Sequence, residues 1–301
     1  MTVIELIERS SARLAEAGVS FGQGTTNAFD EAAWLVLWRL GLPLDELDEV
    51  AERALSAAEQ AAAEALIDQR ISSRLPAAYL TGEAWLQGVP FTVDARAIVP
   101  RSLIAEPLAD GTLDAWLSPQ TRTVLDLCTG NASLAVLAAM AWAQVTVDAA
   151  DLSADALAVA RLNVDRHDLA HRITLHPGDG LAAVAGRRYD LILCNPPYVN
   201  AASMAALPAE FRAEPALALD GNTAGGDDGM DFIRLLLQGA PAHLTDLGLL
   251  VLEIGHERRH FEHAFPTLDV VWLPTSAGDD QVLLLSREAL TTPALRPVAR
   301  G

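Results

Sequence analysis

The sequence predicts a doubly wound α/β fold: a seven-stranded, mainly parallel sheet preceded by a small helical bundle and a β-hairpin linker. Three observations predict it. From Thr123 onward, short apolar runs alternate with segments of helical spacing, a pattern that implies parallel strands joined by right-handed crossovers. The run Leu191-Ile192-Leu193-Cys194 is continuously apolar and is closed by Asn195-Pro196, which fits a strand buried on both faces. Before residue 76 the chain carries helical spacing and helix caps only.

Taken in order, Thr2 with Glu5 forms a capping-box signal, and Ile4, Ile7 and Leu14 continue a helix to about Gly18. A Gly- and Thr-rich loop spans Phe21 to Asn27. Asn27 then caps a second helix carrying Trp34, Leu35, Leu37, Trp38 and Leu40, and a third runs from Asp45 or Ser56 to Ile71. Residues 1–75 thus form a helical domain whose role would be recognition, since no metal or nucleophile cluster is visible in it. Residues 76–100, with Tyr79, Trp85, Phe91, Val93 and Val99 beside Gly82 and Gly88, read as a β-hairpin linker. The third domain, 101–301, opens with a helical stretch to Leu117, with Ser102 as its cap and Pro107 as a break.

Strands follow at Thr123–Cys128, Val145–Ala149, Ile173–His176, Leu191–Cys194 and Leu249–Ile254. Helices between them are expected at Ser133–Trp142, Ala154–Asp165 and near Phe232–Gln238. The last two strands, Val270–Leu273 and Val282–Leu285, are joined by a loop holding Gly278-Asp279-Asp280 and read as an antiparallel edge hairpin.

The charge is informative. Twenty-one arginines and no lysines face 40 acidic residues, a net charge of −19, which opposes stable attachment to phosphate backbones. Acidity is spread along the chain, with 15 acidic against 7 basic residues before position 101. A basic protein partner fits this surface. No apolar run approaches the roughly 18 residues that span a bilayer, the first residues lack a secretory pattern, and Cys128 and Cys194 are too few for a disulfide framework or zinc cage. A reduced, cytoplasmic protein without membrane attachment is expected. His256 and His260, with Arg258 and Arg259 between them, read as a surface helix and not as a metal site.

Two stretches carry chemistry. After the fourth strand, Asn195-Pro196-Pro197-Tyr198 ends the ladder, because proline cannot donate to it. The Asn195 amide offers an acceptor and a donor, Pro196 a carbonyl and Tyr198 an aromatic face, a set able to hold a planar nitrogen. A plain Asn-Pro turn is the alternative. After the first strand, Asp126-Leu127-Cys128-Thr129-Gly130-Asn131-Ala132 leads into a helix whose N-terminus presents free N–H groups. Asp151 lies 21 residues beyond Gly130, past the second strand, where a carboxylate can accept both ribose hydroxyls. Gly178-Asp179-Gly180 follows the third strand, where Asp179 could accept an adenine amino hydrogen. Each Asp taken singly also suits a helix cap.

Together these residues resemble class I S-adenosylmethionine-dependent methyltransferases that act on a planar nitrogen. Phe21-Gly22-Gln23-Gly24-Thr25-Thr26-Asn27, Tyr79-Leu80-Thr81-Gly82-Glu83-Ala84-Trp85, Val99-Pro100-Arg101-Ser102 and Glu253-Ile254-Gly255 narrow the resemblance to the protein-glutamine methyltransferases. Within them the chain is most similar to the branch acting on the third protein of the large ribosomal subunit. The resemblance implies S-adenosylmethionine bound at Asp126, Cys128, Thr129, Gly130, Asn131, Ala132, Asp151, Leu152, Asp179, Gly180 and Asn195. It implies catalysis by Asn195, Pro196 and Tyr198, with Pro197 also lining the substrate, and a basic ribosomal protein as partner.

One departure is evident: the family's Gly-Ser-Gly reads Gly130-Asn131-Ala132 here, and at a positive φ the alanine methyl costs about 1 kcal/mol or more. The segment Pro208–Gly229, with Glu210, Arg212, Glu214 and Asp227-Asp228-Gly229, is expected to loop over the site and meet a basic peptide. The alternatives are methylation of a release-factor glutamine, methylation of a nucleobase, which predicts a basic groove, and a non-catalytic ribosome assembly factor.

Overall fold

The computed structural model of the chain describes residues 1–291. Local signals set the first elements. The Thr2 hydroxyl accepts from the Glu5 N–H while the Glu5 carboxylate accepts from the Thr2 N–H at 2.8 Å, starting α1 (Val3–Glu16). Asn27 caps α2 (Ala28–Leu40), which Gly41 closes in the left-handed conformation. A single turn, α3 (Leu47–Val50), precedes α4 (Ala57–Ser73), which a second capping box from Ser56 and Glu59 begins. Between the two starts read from the sequence, Ser56 is the one that caps a long helix. Val3, Leu6, Ile7 and Leu14 of α1 bury against Leu35 and Val36 of α2 and Ile67 of α4.

One cation lies inside this bundle. Arg70 is 1% exposed, its Nε donates to Glu31 at 2.9 Å, and Glu210 lies 3.7 Å from its guanidinium. Burial raises the Glu31 pKa and Arg70 opposes the shift.

The linker contains a helical turn, α5 (Ala77–Thr81), before the hairpin of β1 (Glu83–Leu86) and β2 (Val89–Thr92). Gln87 and Gly88 both take positive φ in its two-residue turn. The helical stretch expected from Ser102 to Leu117 is instead α6 (Ala105–Ala109) and a 3-10 turn at Thr112–Ala115. Pro107 does not break it: as the third residue of α6 it has no intrahelical N–H bond to lose. Gly111, at φ 81°, makes the break. Ser102 is drawn away from capping, and its hydroxyl donates to Glu253 at 2.6 Å.

The remainder runs β3 (Thr123–Leu127), α7 (Ser133–Ala141), β4 (Thr146–Asp151), α8 (Ala154–Arg166), β5 (Ile173–Pro177), β6 (Tyr189–Cys194), α9 (Ala201–Ala206), α10 (Ala209–Arg212), α11 (Asp231–His243), β7 (Leu244–Glu253), α12 (Arg258–Ala264), β8 (Val271–Thr275), β9 (Gly278–Ser286) and α13 (Arg287–Thr291). The seven-stranded sheet has the order β5-β4-β3-β6-β7-β9-β8; β9 pairs antiparallel with both β7 and β8, and the other pairs are parallel. The Gly278-Asp279-Asp280 segment expected as a loop begins β9, because Thr275 already pairs with Gly278 across a two-residue turn. Alternate residues of β6 enter opposite cores: Leu191 and Leu193 face α7 and α8, whereas Ile192 and Cys194 face α11 and α12. Burial on both faces is the physical source of the continuous apolar run. Among the described residues no helix is long and apolar enough to cross a membrane.

Removing Arg70 strands the Glu31 carboxylate in the interior without its cation. Arg70→Ala is expected to lower unfolding free energy by about 3–5 kcal/mol, against about 1 kcal/mol or less for Arg9→Ala at the surface pair with Glu64. Urea denaturation followed by tryptophan fluorescence measures both, and equal losses would contradict the buried network.

Candidate active site

The chain runs outward from β3 to β4 and β5, then returns to β6 on the other side of β3. The carboxyl ends of β3 and β6 therefore flank a topological switch point, where loops diverge and leave a crevice. The loop Asp126–Ala132 leaves β3 there and Asn195–Tyr198 leaves β6, with Leu127 beside Cys194 in the ladder.

The first loop is shaped by its backbone. Cys128, Gly130 and Ala132 have φ of 60°, 57° and 65°, and the loop's N–H groups are taken up locally: Thr129 donates to the Ala150 carbonyl at 3.0 Å and Ala132 to the Thr129 carbonyl at 2.9 Å. Ala132, buried, bears the strain that its methyl group was expected to bring. Asp126 holds the loop closed: its Oδ2 accepts from the Thr129 hydroxyl and, at 2.9 Å, from the Ala135 N–H in the first turn of α7. Its Oδ1 is buried without a hydrogen-bond partner, and burial raises the carboxyl pKa to about 7. An unmatched acceptor at a crevice is a place for a ligand donor.

Asp151 is the last residue of β4. Its Oδ2 accepts from Gly130 N–H and its Oδ1 from Ser153 N–H, both at 2.8 Å; each oxygen keeps a second lone pair. Leu152 beside it is 55% exposed. Asp179 lies two residues past β5, with an exposed carboxylate that makes no hydrogen bond among the described residues. Gly178, by contrast, admits no side chain, since a Cβ there would lie 2.8 Å from that of Ala183. Asn163, fully buried in α8, bonds both backbone groups of Thr92 in the hairpin and the Asn131 carbonyl, at 2.7–3.0 Å. It ties the linker to the loop. Its apolar-face spacing with Ala160 and Val164 was the only sequence signal for it.

At the end of β6 neither the Asn195 side-chain amide nor the Pro196 carbonyl has a hydrogen-bond partner among the described residues, although Pro196 and Pro197 are buried. Tyr198 is held rigidly. Its hydroxyl donates to Glu253 at 3.3 Å, and its ring lies where a Cβ on Gly255 would sit, 2.6 Å from Cε2. Burial, with Glu253 alongside, raises the phenol pKa. Glu253 also accepts from Ser102 Oγ and from Leu103 N–H at 2.9 Å, and burial raises its pKa as well.

The segment Pro208–Gly229 departs from expectation. Glu214 and Glu210 do not face outward to a basic peptide; both are buried and already paired. Glu214 takes Arg101 in a two-pronged bond at 2.6 and 2.8 Å and the Val99 N–H at 2.9 Å. Glu210 meets Arg74 at 3.1 Å and Arg70. Asp228 is bound by Arg234. The 21–27 loop abuts the same segment, Gly22 fitting against Phe211 and Gln23 Nε2 donating to the Glu210 carbonyl at 3.3 Å. His260 pairs with Glu257 at the start of α12.

Residues 111–222 match the family model "Methyltransferase small domain", and residues 5–82 match "PrmC N-terminal domain". Three curated relatives carry the name ribosomal protein uL3 glutamine methyltransferase. That of Bordetella pertussis is 53% identical over 293 residues, 97% of each chain. That of Burkholderia pseudomallei is 50% identical over 96% of this chain and 95% of its own. That of Neisseria gonorrhoeae is 44% identical over 96% and 95%.

The raised pKa of Asp126 carries a sign. A carboxyl whose folded pKa lies above its unfolded value favours folding fully at about pH 4 and progressively loses that contribution toward pH 7. The melting temperature of wild type relative to Asp126→Asn is therefore expected to fall between pH 5 and pH 8. A difference independent of pH would contradict ionisation of a buried Asp126.

Proposed function

The chain belongs to the ribosomal protein uL3 glutamine methyltransferases, and from that membership we propose that it methylates the side-chain amide nitrogen of a glutamine in uL3, with S-adenosylmethionine as donor. The observation that carries this reading is the pair of unsatisfied acceptors, Asn195 Oδ1 and the Pro196 carbonyl, at the end of β6 beside the β3 loop. A glutamine NH2 group brings two hydrogens to the site, and two fixed acceptors match them.

The residues on the other side of the crevice fit the donor. S-adenosylmethionine carries an ammonium group, a ribose diol and an adenine amino group. The orphaned Asp126 Oδ1 and the loop of Cys128, Thr129, Gly130, Asn131 and Ala132 suit the amino-acid end. Asp151 suits the diol, and Asp179 with Gly180 and the exposed Leu152 suit the adenine. When bound, the donor supplies a methyl group made electrophilic by its sulfonium.

The protein's part is positioning. An amide nitrogen is a weak nucleophile because its lone pair is delocalised into the carbonyl. Asn195 and Pro196 would accept its two hydrogens, orient the lone pair toward the methyl and stabilise positive charge as it grows on nitrogen. Pro197 would line the pocket and Tyr198 would pack against the amide plane. Held this way, the nitrogen would take the methyl group from the sulfonium as the S–CH3 bond breaks, and the amide proton would then pass to water. No strong base is needed. Residues 1–75 would contribute recognition, residues 76–100 the link and residues 101–301 the chemistry, in the cytoplasm where ribosomal proteins are made.

Asn195→Ala should bind S-adenosylmethionine in calorimetry within about threefold of wild type, while kcat on uL3 falls roughly 100-fold or more. Near wild-type turnover would reject the role of Asn195. Loss of donor binding would place it on the cofactor instead.

A further inference from the structure

The helical bundle and the hairpin enclose a second concave site of about 320 Å³, formed by Phe29, Trp34, Leu37, Leu44, Leu47 and Trp85. Two of its aromatics face water, Trp85 at 45% and Phe29 at 38% exposure. The Trp34 indole N–H is buried without an acceptor. Buried indole donors ordinarily find partners. An exposed aromatic groove with an unmet donor is a feature of a binding surface rather than of a finished core.

The charge around it is one-sided. Asp30 lines the groove. Leu44 and Leu47 interleave with Asp45, Glu46, Asp48 and Glu49, all exposed and without an ion pair or side-chain hydrogen bond among the described residues. In segment 208–229, Glu210, Glu214 and Asp228 are paired internally and Asp227 alone of the acidic residues expected to meet a basic partner stays exposed, whereas the Asp45–Glu49 cluster sets four free carboxylates beside an apolar cleft. Aromatic faces rimmed by carboxylates suit a long cationic side chain, whose alkyl stem packs on the rings while its head meets the acids.

The groove also connects to the segment that follows the Asn195 motif. Gly24 and Thr25 line it and belong to the loop whose Gly22 and Gln23 pack on Phe211 and Glu210. We infer that the groove of Phe29, Trp34 and Trp85 docks an arginine- or lysine-bearing segment of the protein substrate while its glutamine occupies the site at Asn195. This inference rests on the reading of the chain as a modifier of a basic ribosomal protein.

Fluorescence anisotropy of labelled uL3 against the full chain tests it, because binding is read without methyl transfer. Trp85→Ala, and separately the combined variant D45N/E46Q/D48N/E49Q, are each expected to weaken uL3 binding about tenfold or more, with affinity for S-adenosylmethionine unchanged. Binding within twofold of wild type by either variant overturns the inference, as does failure of the wild type to bind. A self-associated species in sedimentation that Trp85→Ala dissolves would also overturn it, by assigning the groove to a second copy of the chain. If wild type binds, both variants weaken and uL3 still gains no methyl group, the groove stands and the methyl-transfer reading falls.

Discussion

The Glu253 carboxylate is the constraint on which the site depends. It is buried at the end of β7 and accepts from the Ser102 hydroxyl, the Leu103 N–H and the Tyr198 hydroxyl. A carboxylate out of water is tolerated only where its lone pairs are met, so these three donors are fixed as firmly as the strand that carries Glu253. Gly255, two residues on, has no side chain to displace the Tyr198 ring. The end of β7 and the residues just after it thereby set both the position of the Tyr198 ring and the path of the chain as it leaves the linker.

From there the coupling runs outward through charge. Arg101, one residue before Ser102, grips Glu214, and four residues earlier Glu210 is held by Arg70 of α4 and by Arg74 just past its end. The segment after the Asn195 motif is clasped between the linker and the helical bundle, with its glutamates turned inward. Such pairs, with the carboxylate buried, contribute less to net stability than to fixing one arrangement. Their effect here is to leave α10 few alternative positions between the linker and the helical bundle. They also consume Glu210 and Glu214, which a sequence reading assigns to substrate contact, and the unpaired carboxylates between Asp45 and Glu49 remain available.

Much of this architecture was legible in the sequence wherever the cause is local. The capping boxes at Thr2 and Ser56, the cap at Asn27 and the continuous run of β6 depend on neighbours within a few residues. The positions of the β3 loop, Asp151, Asp179 and Asn195 followed too, because parallel strands bring all their carboxyl ends to one edge. What escaped was decided by partners far along the chain. Nothing near Ser102 announces that Glu253 will take its hydroxyl, and nothing near Glu214 announces Arg101. Arg70 left a trace, since it continues the buried spacing of Ala63, Leu66 and Ile67. Gly278 was misplaced because a two-residue turn gives little local punctuation. The strain at Ala132 could be posed from the sequence as a condition, and its φ of 65° meets that condition.

The central claim is that this crevice delivers a methyl group to a glutamine of uL3 and not to another protein's glutamine. Radiolabelled S-adenosylmethionine supplied with the purified chain, and separately with uL3 and with a peptide release factor, tests it most directly. The account predicts label on uL3 alone, on a glutamine side chain in the digested product. Label on the release factor alone, or on a residue of uL3 other than glutamine, would contradict it.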